Sequence, residues 1–288
     1  MRSDCLPNVF IIGAAKCGTT SLHHYLDQHP DISMSRVKEP NVFSEGRWAT
    51  RYDHYEGLFD CEAPFRGDSS TSYSRFPVEG DAAARIHAAV SDAKLIYLVR
   101  DPIERAISDH VHHVALGLEQ RSLDEALKDF ADPENYYVTS SRYALQVGRY
   151  LDHFPASSLL VLDQSDLREK RAETMGAVFS FIGVDPTFRS PEFEVELLKR
   201  GDYLKHGSAG WRLRESRVGQ TFRRLPLRPR LRVARMARRV LPTEPRPTLD
   251  PTLEAELADF LRPEVEQLRS ISGKPLEGLL AKVAPPTS

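Results

Sequence analysis

A glycine-containing loop near the amino terminus is the part of this chain whose residue types and spacing point most directly to chemistry. The loop covers Gly13–Ser21, of sequence GAAKCGTTS, between an apolar run and a stretch with helical spacing. Free backbone N–H groups in such a loop, together with the dipole of the helix that follows, form a binding site for an anion. The sequence therefore predicts a phosphate-binding loop at this position.

The loop has the glycine spacing of a Walker A motif but not its lysine. Walker A loops carry the lysine directly after the second glycine, whereas here Thr19 follows Gly18 and the lysine is Lys16. The apolar strand predicted over 94–100 ends in Arg100, where a nucleotide hydrolase would place an aspartate for Mg²⁺. An arginine there favours an anion over a metal ion, which argues against an ordinary ATPase loop.

A second candidate anion site lies at the end of that strand. Arg100 carries a planar fork of N–H donors suited to a dianionic phosphate, and Ser108 adds a hydroxyl from the helix that follows. The alternative for Arg100, taken alone, is a surface ion pair. Its spacing to Ser108 and the presence of the upstream loop favour a phosphate ligand.

These two elements resemble those of the sulfotransferases that take their sulfuryl group from 3′-phosphoadenosine 5′-phosphosulfate (PAPS). The sequence KCGTTS over 16–21 is similar to the family's loop for the 5′-phosphosulfate, and LVRDPIERAIS over 98–108 is similar to its element for the 3′-phosphate. The resemblance implies that Lys16 binds the phosphosulfate and that Arg100 and Ser108 bind the 3′-phosphate. The other loop residues implied to bind the 5′ end of the donor are Cys17, Gly18, Thr19, Thr20 and Ser21. Cys17 receives no catalytic role.

The proton that an acceptor hydroxyl loses during transfer needs a positioned carboxylate or histidine to receive it. The sequence RVKEPNVFS over 36–44 resembles the K-E-P-x-x-F segment of the heparan-sulfate-type branch of the same family. The resemblance implies that Glu39 is the general base and that Lys38 lies beside the transferred group. Lys16 and Lys38 would then stabilise charge on the bridging oxygen and the departing phosphate, so that no metal is required. Taken alone, the segment would be interpreted as a charged turn before a proline.

Contacts to the acceptor are predicted from a less specific set of residues. The sequence departs from the heparan-sulfate-type branch at Asn41, where a histidine is common, so the acceptor stays open. The sequence DSSTSY over 68–73 resembles the family's acceptor cleft, although Ser and Thr clusters are equally typical of loops. The residues predicted to contact the acceptor are Asn41, Asp68, Ser72, Tyr73 and His110. The histidines are otherwise expected to be solvated or core residues rather than metal ligands.

The elements that must position these residues alternate between strand and helix. Strands are predicted over 8–13, 94–100 and 158–163, and helices over 20–29, 102–116, 136–154 and 168–182. Ser122 and Glu125 have the spacing of a capping box at the start of a further helix. The alternation predicts an α/β protein with one P-loop-like domain, a central parallel sheet and helices on both faces.

The predicted single domain, 1–288, divides into three segments of different character. These are the α/β nucleotide-binding core over 8–184, a basic, variable, lid-like segment over 185–245 and a helical closure over 246–288. An amphipathic helix is predicted over 253–268 in the last of them.

The basic segment contains eleven arginines and one acid between residues 212 and 239. It has three interpretations. It can be a solvated basic face, a lid whose Ser208 and Arg212 complete the 3′-phosphate site, or a platform for anionic lipid or an acidic acceptor.

The composition fits a soluble globular protein. The 288 residues are 41% hydrophobic, 28% charged and 9% aromatic, which excludes a disordered, collagen-like or disulfide-rich chain. A formal charge of −2 argues against a nucleic-acid partner. Three cysteines without a CxxC pair predict neither a disulfide framework nor a zinc site, and they favour a reducing compartment. The apolar run over 9–15 is too short to span a membrane and no signal peptide precedes it, so we expect a cytoplasmic protein.

We therefore expect an enzyme that moves a sulfuryl group from PAPS to a hydroxyl of a carbohydrate, a glycolipid or a small natural product, leaving 3′-phosphoadenosine 5′-phosphate (PAP). Two other functions stay open at this point. One is a P-loop kinase of a nucleotide or small molecule, which would need ATP and Mg²⁺. The other is a non-catalytic module that binds anionic lipid or a polyanion through the arginines of 212–239.

Overall fold

Five parallel strands form the main sheet of the protein. The structure is a computed structural model that describes residues 5–44, 52–195, 203–204, 243–244 and 246–280. The strands are β1 (Val9–Gly13), β2 (Ile32–Met34), β3 (Phe65–Ser69), β4 (Lys94–Val99) and β5 (Leu159–Asp163). They lie in the order β2-β3-β1-β4-β5 and every neighbouring pair is parallel. The parallel sheet confirms the predicted α/β class.

Helices occupy the connections between strands and the carboxyl-terminal part. They are α1 (Thr19–Leu26), α2 (Tyr52–Glu56), α3 (Ala82–Ala89), α4 (Pro102–Leu116), α5 (Leu123–Leu127), α6 (Tyr136–Thr139), α7 (Tyr143–Leu151), α8 (Gln164–Glu169), α9 (Arg171–Ile182) and α10 (Pro251–Ser272). Two short strands, β6 (Tyr203–Leu204) and β7 (Thr243–Glu244), pair antiparallel in a second sheet. Within the described ranges, no helix has both the length and the apolar composition needed to cross a bilayer.

The two central strands are the most buried part of the sheet. All five residues of β1 are buried, and Leu95–Val99 of β4 have no solvent exposure. Continuous apolar runs of this kind are expected where a parallel sheet is covered on both faces. Because each such side chain contributes about 1.5–3 kcal/mol on burial, these two strands fix the positions of the loops that follow them.

Helix α4 starts and ends where its sequence predicts. The Asp101 side chain caps it by accepting a hydrogen bond from the Glu104 N–H at 2.8 Å, and Pro102 takes the first helical position. Gly117 ends the helix with a left-handed φ of 72°. The capping box of Ser122 and Glu125 is likewise present at the start of α5.

Two strands of the main sheet, the short strands β6 and β7, and two helix breaks were not predicted. β2 is only three residues long, and β3 has the polar sequence FRGDS, so neither shows the apolar run that marks a buried strand. The helix predicted over 136–154 is divided into α6 and α7, and between them the Ser141 hydroxyl donates to the Pro102 carbonyl at 2.8 Å. The helix predicted over 168–182 is preceded by the separate helix α8.

The expectation that no disulfide forms is wrong, because Cys5 and Cys61 are bonded to each other with their Cα atoms 5.0 Å apart. Cys5 precedes β1 and Cys61 precedes β3, and the parallel pairing of these strands brings their amino-terminal ends together. The 56-residue separation gave no sign of this pairing, since β3 itself was not predicted. Structural disulfides are typical of oxidising compartments, so the cysteines no longer support a reducing one.

We expect reduction of this disulfide to lower the free energy of unfolding by about 2–4 kcal/mol, because it closes a long loop in the unfolded chain. The measurement is urea unfolding with and without reductant. A Cys5→Ser/Cys61→Ser variant should unfold at the midpoint of the reduced protein and be insensitive to reductant. An unchanged midpoint on reduction of the wild-type chain would contradict the expectation.

Candidate functional site

The loop between β1 and α1 turns through two left-handed residues. The N–H of Ala14 donates to the carbonyl of Leu98 at 2.7 Å, which ties the loop to β4. Lys16 has a φ of 68° and Gly18, the N-cap of α1, has a φ of 97°. A Cβ at Gly18 would meet only ordinary contacts, so the backbone conformation alone explains the glycine there.

The amino terminus of α1 is open to a ligand. The first N–H groups of an α-helix have no partner within the helix, and no described side chain caps this end. The residues that follow Gly18 are the small hydroxyl residues Thr19, Thr20 and Ser21. An anion held there would satisfy these N–H groups and interact favourably with the helix dipole.

Lys16 carries its positive charge in a largely desolvated position. Burial lowers the pKa of its ammonium group, Asp109 and Glu39 partly offset that effect, and the nearby guanidinium groups of Arg100 and Arg105 lower the pKa further. The ammonium group and its arginine neighbours therefore form a partly buried positive cluster. A bound anion would relieve the repulsion within this cluster.

Arg100 lies next to this loop, as the sequence predicts for a shared ligand. Its guanidinium donates to the Lys16 carbonyl at 3.3 Å and pairs with Glu104 at 3.1 Å. Its Nε is buried and has no hydrogen-bond partner among the described residues. Ser108 lies two turns along α4 and is 8% exposed. Two hydrogen-bond donors suited to a second phosphate are therefore present: the Arg100 guanidinium after β4 and the Ser108 hydroxyl on α4.

Arg105, by contrast, is a structural residue of α4. It is fully buried and pairs with Asp109 at 3.0 Å. Its other donors bond the Ser141 hydroxyl at 2.7 Å and the Tyr137 carbonyl. With these partners it supports the helix that carries Ser108, and adds positive charge near Lys16.

Cys17 is a packing residue inside the loop. Its side chain is fully buried, lies 3.9 Å from the Tyr143 hydroxyl, and has a pKa raised by burial to about 11. A thiol with that pKa is neutral at physiological pH, so a nucleophilic role does not fit. Its backbone N–H already donates to the Ala14 carbonyl, so the Cys17 amide is not free to bind a phosphate.

Arg246 contacts the candidate site, although sequence reasoning had little ground to select it. It lies between two prolines and pairs with the same Glu104 carboxylate that holds Arg100, at 2.5 Å, while also donating to the Glu104 carbonyl at 3.2 Å. The residues predicted to close this side, Ser208 and Arg212, lie outside the described residues, as does the basic segment 212–239. Arg246 is therefore the described cation that joins the carboxyl-terminal part of the chain to Arg100.

Glu39 lies in the segment after β2 and is held against the end of β3. Its N–H donates to the Ser69 carbonyl at 3.1 Å, and its backbone has a left-handed φ of 63°. One carboxylate oxygen pairs with the Lys38 ammonium group at 2.7 Å, and the other accepts from the Thr71 hydroxyl at 3.4 Å. The Glu39 side chain is 38% exposed, so it can reach a ligand as well as its protein partners.

The residues predicted to contact the acceptor are mostly engaged with the protein. Asp68 is fully buried, and Tyr73 is buried with its hydroxyl on Asp68 at 2.7 Å. Asn41 accepts from the Ser72 hydroxyl at 2.6 Å. His110 is buried on α4, where its Nε2 lies 3.0 Å from the Arg121 carbonyl. Burial of Asp68 and His110 does not fit direct acceptor contact, so we assign both to support of the site.

The strand order brings these groups to one edge. β1 lies between β3 and β4, so the loop with Lys16, the end of β4 with Arg100 and the segment bonded to the end of β3 with Glu39 are neighbours. Such a crevice at the carboxyl edge of an open parallel sheet is the usual ligand position in α/β proteins. Fold and site together define an α/β protein with basic side chains and a carboxylate at the carboxyl edge of its sheet.

The chain belongs to the sulfotransferase family, since residues 6–206 match the family described as sulfotransferase domain. It is a transferase of that family. It is 27% identical to a crystal structure of a sulfotransferase from Alicyclobacillus acidocaldarius, with a TM-score of 0.65 over 93% of this chain and 96% of that one. The predicted family and α/β fold are therefore confirmed.

Curated relatives include enzymes named for heparan sulfate. The chain is 28% identical over 216 residues to the bifunctional heparan sulfate N-deacetylase/N-sulfotransferase 4 of Mus musculus, covering 66% of this chain and 24% of that protein. It is 29% identical over 213 residues to the human heparan sulfate glucosamine 3-O-sulfotransferase 3B1, covering 70% of this chain and 53% of that protein. The chain thus spans between a quarter and about half of these relatives.

We expect the affinity for PAP to fall as the pH rises from neutral toward the ordinary lysine pKa of 10.5, and to begin falling well below that value. Only the protonated ammonium group attracts the phosphate, and burial lowers the pKa of Lys16. Above neutral pH the phosphates have already lost their second proton, so they do not contribute to the change. Calorimetric titration with PAP over this range is the measurement.

A Lys16→Gln variant is the control for this profile. It should bind PAP more weakly at neutral pH, and its affinity should not change over the same range, since Arg100 stays charged throughout. A wild-type affinity that is constant up to the ordinary lysine pKa would contradict the placement of Lys16 at the phosphate.

Proposed function

We propose that this sulfotransferase moves the sulfuryl group from PAPS to an acceptor hydroxyl and releases PAP. The observation that carries the proposal is the arrangement of Lys16, Arg100 and Glu39 at one edge of the sheet: two cations suited to the two phosphorylated ends of PAPS, and a carboxylate close enough to Lys16 to influence its pKa. Membership of the sulfotransferase family supports the same chemistry.

The donor would bind with its two anionic ends on different strand ends. The 5′-phosphosulfate fits the open amino terminus of α1, with Lys16 beside it and the hydroxyls of Thr19, Thr20 and Ser21 in reach. The 3′-phosphate fits Arg100, whose Nε has no described partner. Since Arg100 donates to the Lys16 carbonyl, both ends of the donor are held by one connected group of residues.

The proposed reaction is a single in-line displacement at sulfur. The acceptor oxygen forms a bond to the sulfur atom while the bond between sulfur and the 5′-phosphate oxygen breaks. The electron pair of that bond leaves with PAP, and the acceptor proton moves to the Glu39 carboxylate. Lys16 and Lys38 stabilise the negative charge that develops on the bridging oxygen, so the transfer as proposed uses no metal ion.

His23 is a poor alternative base for the transfer. His23 lies on α1, close enough to Lys38 for that charge to act on it, but burial together with Lys38 and His24 lowers its pKa to about 3. An imidazole with that pKa holds a proton poorly at neutral pH. Glu39 is instead partly exposed and flanked by the Lys38 ammonium group and the Thr71 hydroxyl.

For the acceptor we propose a hydroxyl of a carbohydrate, a glycolipid or a small natural product. The carbohydrate alternative is supported by the relatives, whose names specify heparan sulfate. Cytoplasmic location and contact of 212–239 with anionic lipid remain proposals of the sequence.

We expect the purified chain to transfer sulfate from PAPS in the presence of EDTA, and Glu39→Gln to lower kcat by about 10²–10⁴-fold through loss of the proton acceptor. The measurement is the formation of PAP and sulfated product over a panel of sugar, glycolipid and phenolic acceptors. A kinase would instead bind ATP in a manner that requires Mg²⁺.

Glu62→Gln serves as the matched control because Glu62 is exposed near Cys61, at the opposite edge of the sheet. It should leave kcat unchanged, and both variants should bind PAP as the wild-type chain does. Full turnover by Glu39→Gln would eliminate it as the base, whereas loss of all transfer in EDTA would eliminate the metal-independent step.

Arg246 gives a second test of the donor site. We expect Arg246→Ala to weaken PAP binding by about tenfold, the size of one lost charge-assisted hydrogen bond, and to leave the affinity for adenosine 5′-phosphate unchanged, because that ligand lacks the 3′-phosphate. Arg189→Ala, a change at an exposed arginine bonded only to nearby carbonyls, is the control. An equal loss for both nucleotides would place Arg246 away from the 3′-phosphate.

A further inference from the structure

A buried chain of hydrogen bonds connects the end of β3 to the segment that carries Glu39. It starts at Asp68, which is fully buried and lies opposite Phe10 of β1 in the sheet register. One carboxylate oxygen of Asp68 accepts from the Tyr55 hydroxyl at 2.5 Å and the Tyr73 hydroxyl at 2.7 Å. The other accepts from the Ser70 hydroxyl at 2.7 Å. A buried carboxylate with three donors is an anchored group, not a free ligand contact.

The direction of the next hydrogen bond is fixed by chemistry. An ionised carboxylate only accepts hydrogen bonds, so the single hydroxyl proton of Ser70 is committed to Asp68. A lone pair of the Ser70 oxygen therefore remains for a donor, and the N–H of Asn41 lies 3.1 Å from it. Burial raises the pKa of Asp68, while the three hydroxyl donors act against that rise and favour the carboxylate.

The segment held in this way has an unusual backbone. Glu39 and Asn41 have φ values of 63° and 55°, a left-handed conformation that is uncommon for residues other than glycine. Residues in this conformation are found where contacts with the surrounding structure hold their backbone in place. Here the Glu39 N–H donates to the Ser69 carbonyl at 3.1 Å and the Asn41 N–H donates to Ser70.

The Asn41 side chain completes the arrangement. Its amide nitrogen donates back to the Glu39 carbonyl at 2.9 Å, and its amide oxygen accepts from the Ser72 hydroxyl at 2.6 Å. Both ends of the three-residue segment from Glu39 to Asn41 are thus bonded to residues that directly follow Asp68. The Glu39 carboxylate is also contacted there, by the Thr71 hydroxyl.

We propose that Asp68 is a positioning residue for the sulfuryl transfer: acting through Ser70, it holds Glu39 and Asn41 in the left-handed turn that points the Glu39 carboxylate at the acceptor oxygen. The inference rests on the proposed role of Glu39 as base. It gives Asp68, Tyr73 and Ser72 a function in place of the acceptor contacts predicted from the sequence.

The decisive variant is Ser70→Ala, which removes the link and leaves Asp68 and Glu39 in place. In a crystal structure of this variant with PAP, we expect Glu39 and Asn41 to leave the left-handed region and the distance between Glu39 and Lys38 to change. The same turn, with the Glu39 carboxylate in its wild-type position, would overturn the proposal without reference to any acceptor.

Kinetics provide the second readout. We expect Ser70→Ala to lower kcat by about 10- to 100-fold, the effect of a misplaced catalytic group, with unchanged affinity for PAP. If Ser70 acts through Glu39, adding Glu39→Gln should then cost little more, since the two changes remove the same contribution. Losses that multiply in the double variant, or a parallel loss of PAP affinity, would show a general structural effect and overturn the proposal.

Two further variants separate positioning from simple stability. Asp68→Asn disturbs the same link from its other end and should show the same non-additivity with Glu39→Gln, which keeps the test available if Ser70→Ala does not fold. Ser122→Ala removes a hydroxyl that caps α5, so it lowers stability with kcat unchanged. Should Ser122→Ala reduce kcat as Ser70→Ala does, the loss reflects stability and the proposal fails.

Failure of the proposed function gives a different pattern from failure of this inference. If Glu39→Gln retains full activity in the otherwise wild-type chain, Glu39 is not the base. Asp68 then has no catalytic group to position, and the further inference fails together with the proposed function. If Glu39→Gln is impaired and Ser70→Ala is not, the base stands and only the link through Asp68 is wrong.

Discussion

The parallel pairing of β1 with both β3 and β4 is the constraint on which the site depends. Parallel strands start at one edge and end at the other, so the residues that follow three neighbouring strands must meet. The loop with Lys16 follows β1 and Arg100 follows β4, while Glu39 is bonded to the end of β3 through the Ser69 carbonyl. No single one of these segments would hold both ends of a bisphosphorylated donor beside a base.

Several basic side chains lie close together at this edge of the sheet. Lys16, Arg100 and Arg105 are close enough to influence one another, and burial makes their mutual repulsion stronger than it would be in water. The Asp109 carboxylate forms an ion pair with Arg105 and so neutralises its charge. The Glu104 carboxylate forms ion pairs with both Arg100 and Arg246. Lys16 has no ion-pair partner among the described residues, which fits its proposed place beside a phosphate of the donor.

Sequence reasoning succeeded where local signals agree with the final structure. The apolar runs of β1 and β4, the Asp101 cap of α4 and the capping box of Ser122 and Glu125 are local features, and each is confirmed. It failed at β3, whose Arg66 and Asp68 look like loop residues because their partners are distant in sequence. Arg66 bonds the Leu6 carbonyl, and Asp68 bonds Tyr55 and Tyr73. The Cys5–Cys61 disulfide and Arg246 were missed for the same reason, since tertiary pairing alone brings their partners close.

The separation of donor and base between different segments has a consequence for specificity. The donor side is built on β1 and α4, whereas the base side is bonded to the end of β3 and closed by Arg85 of α3, which donates to the carbonyls of Phe43 and Ser44 at 2.8 and 2.9 Å. Because protein groups on the β3 side hold Glu39, the proposed base and donor arrangement could serve different hydroxyls, and the similarity to heparan sulfate enzymes says more about the transfer chemistry than about the acceptor.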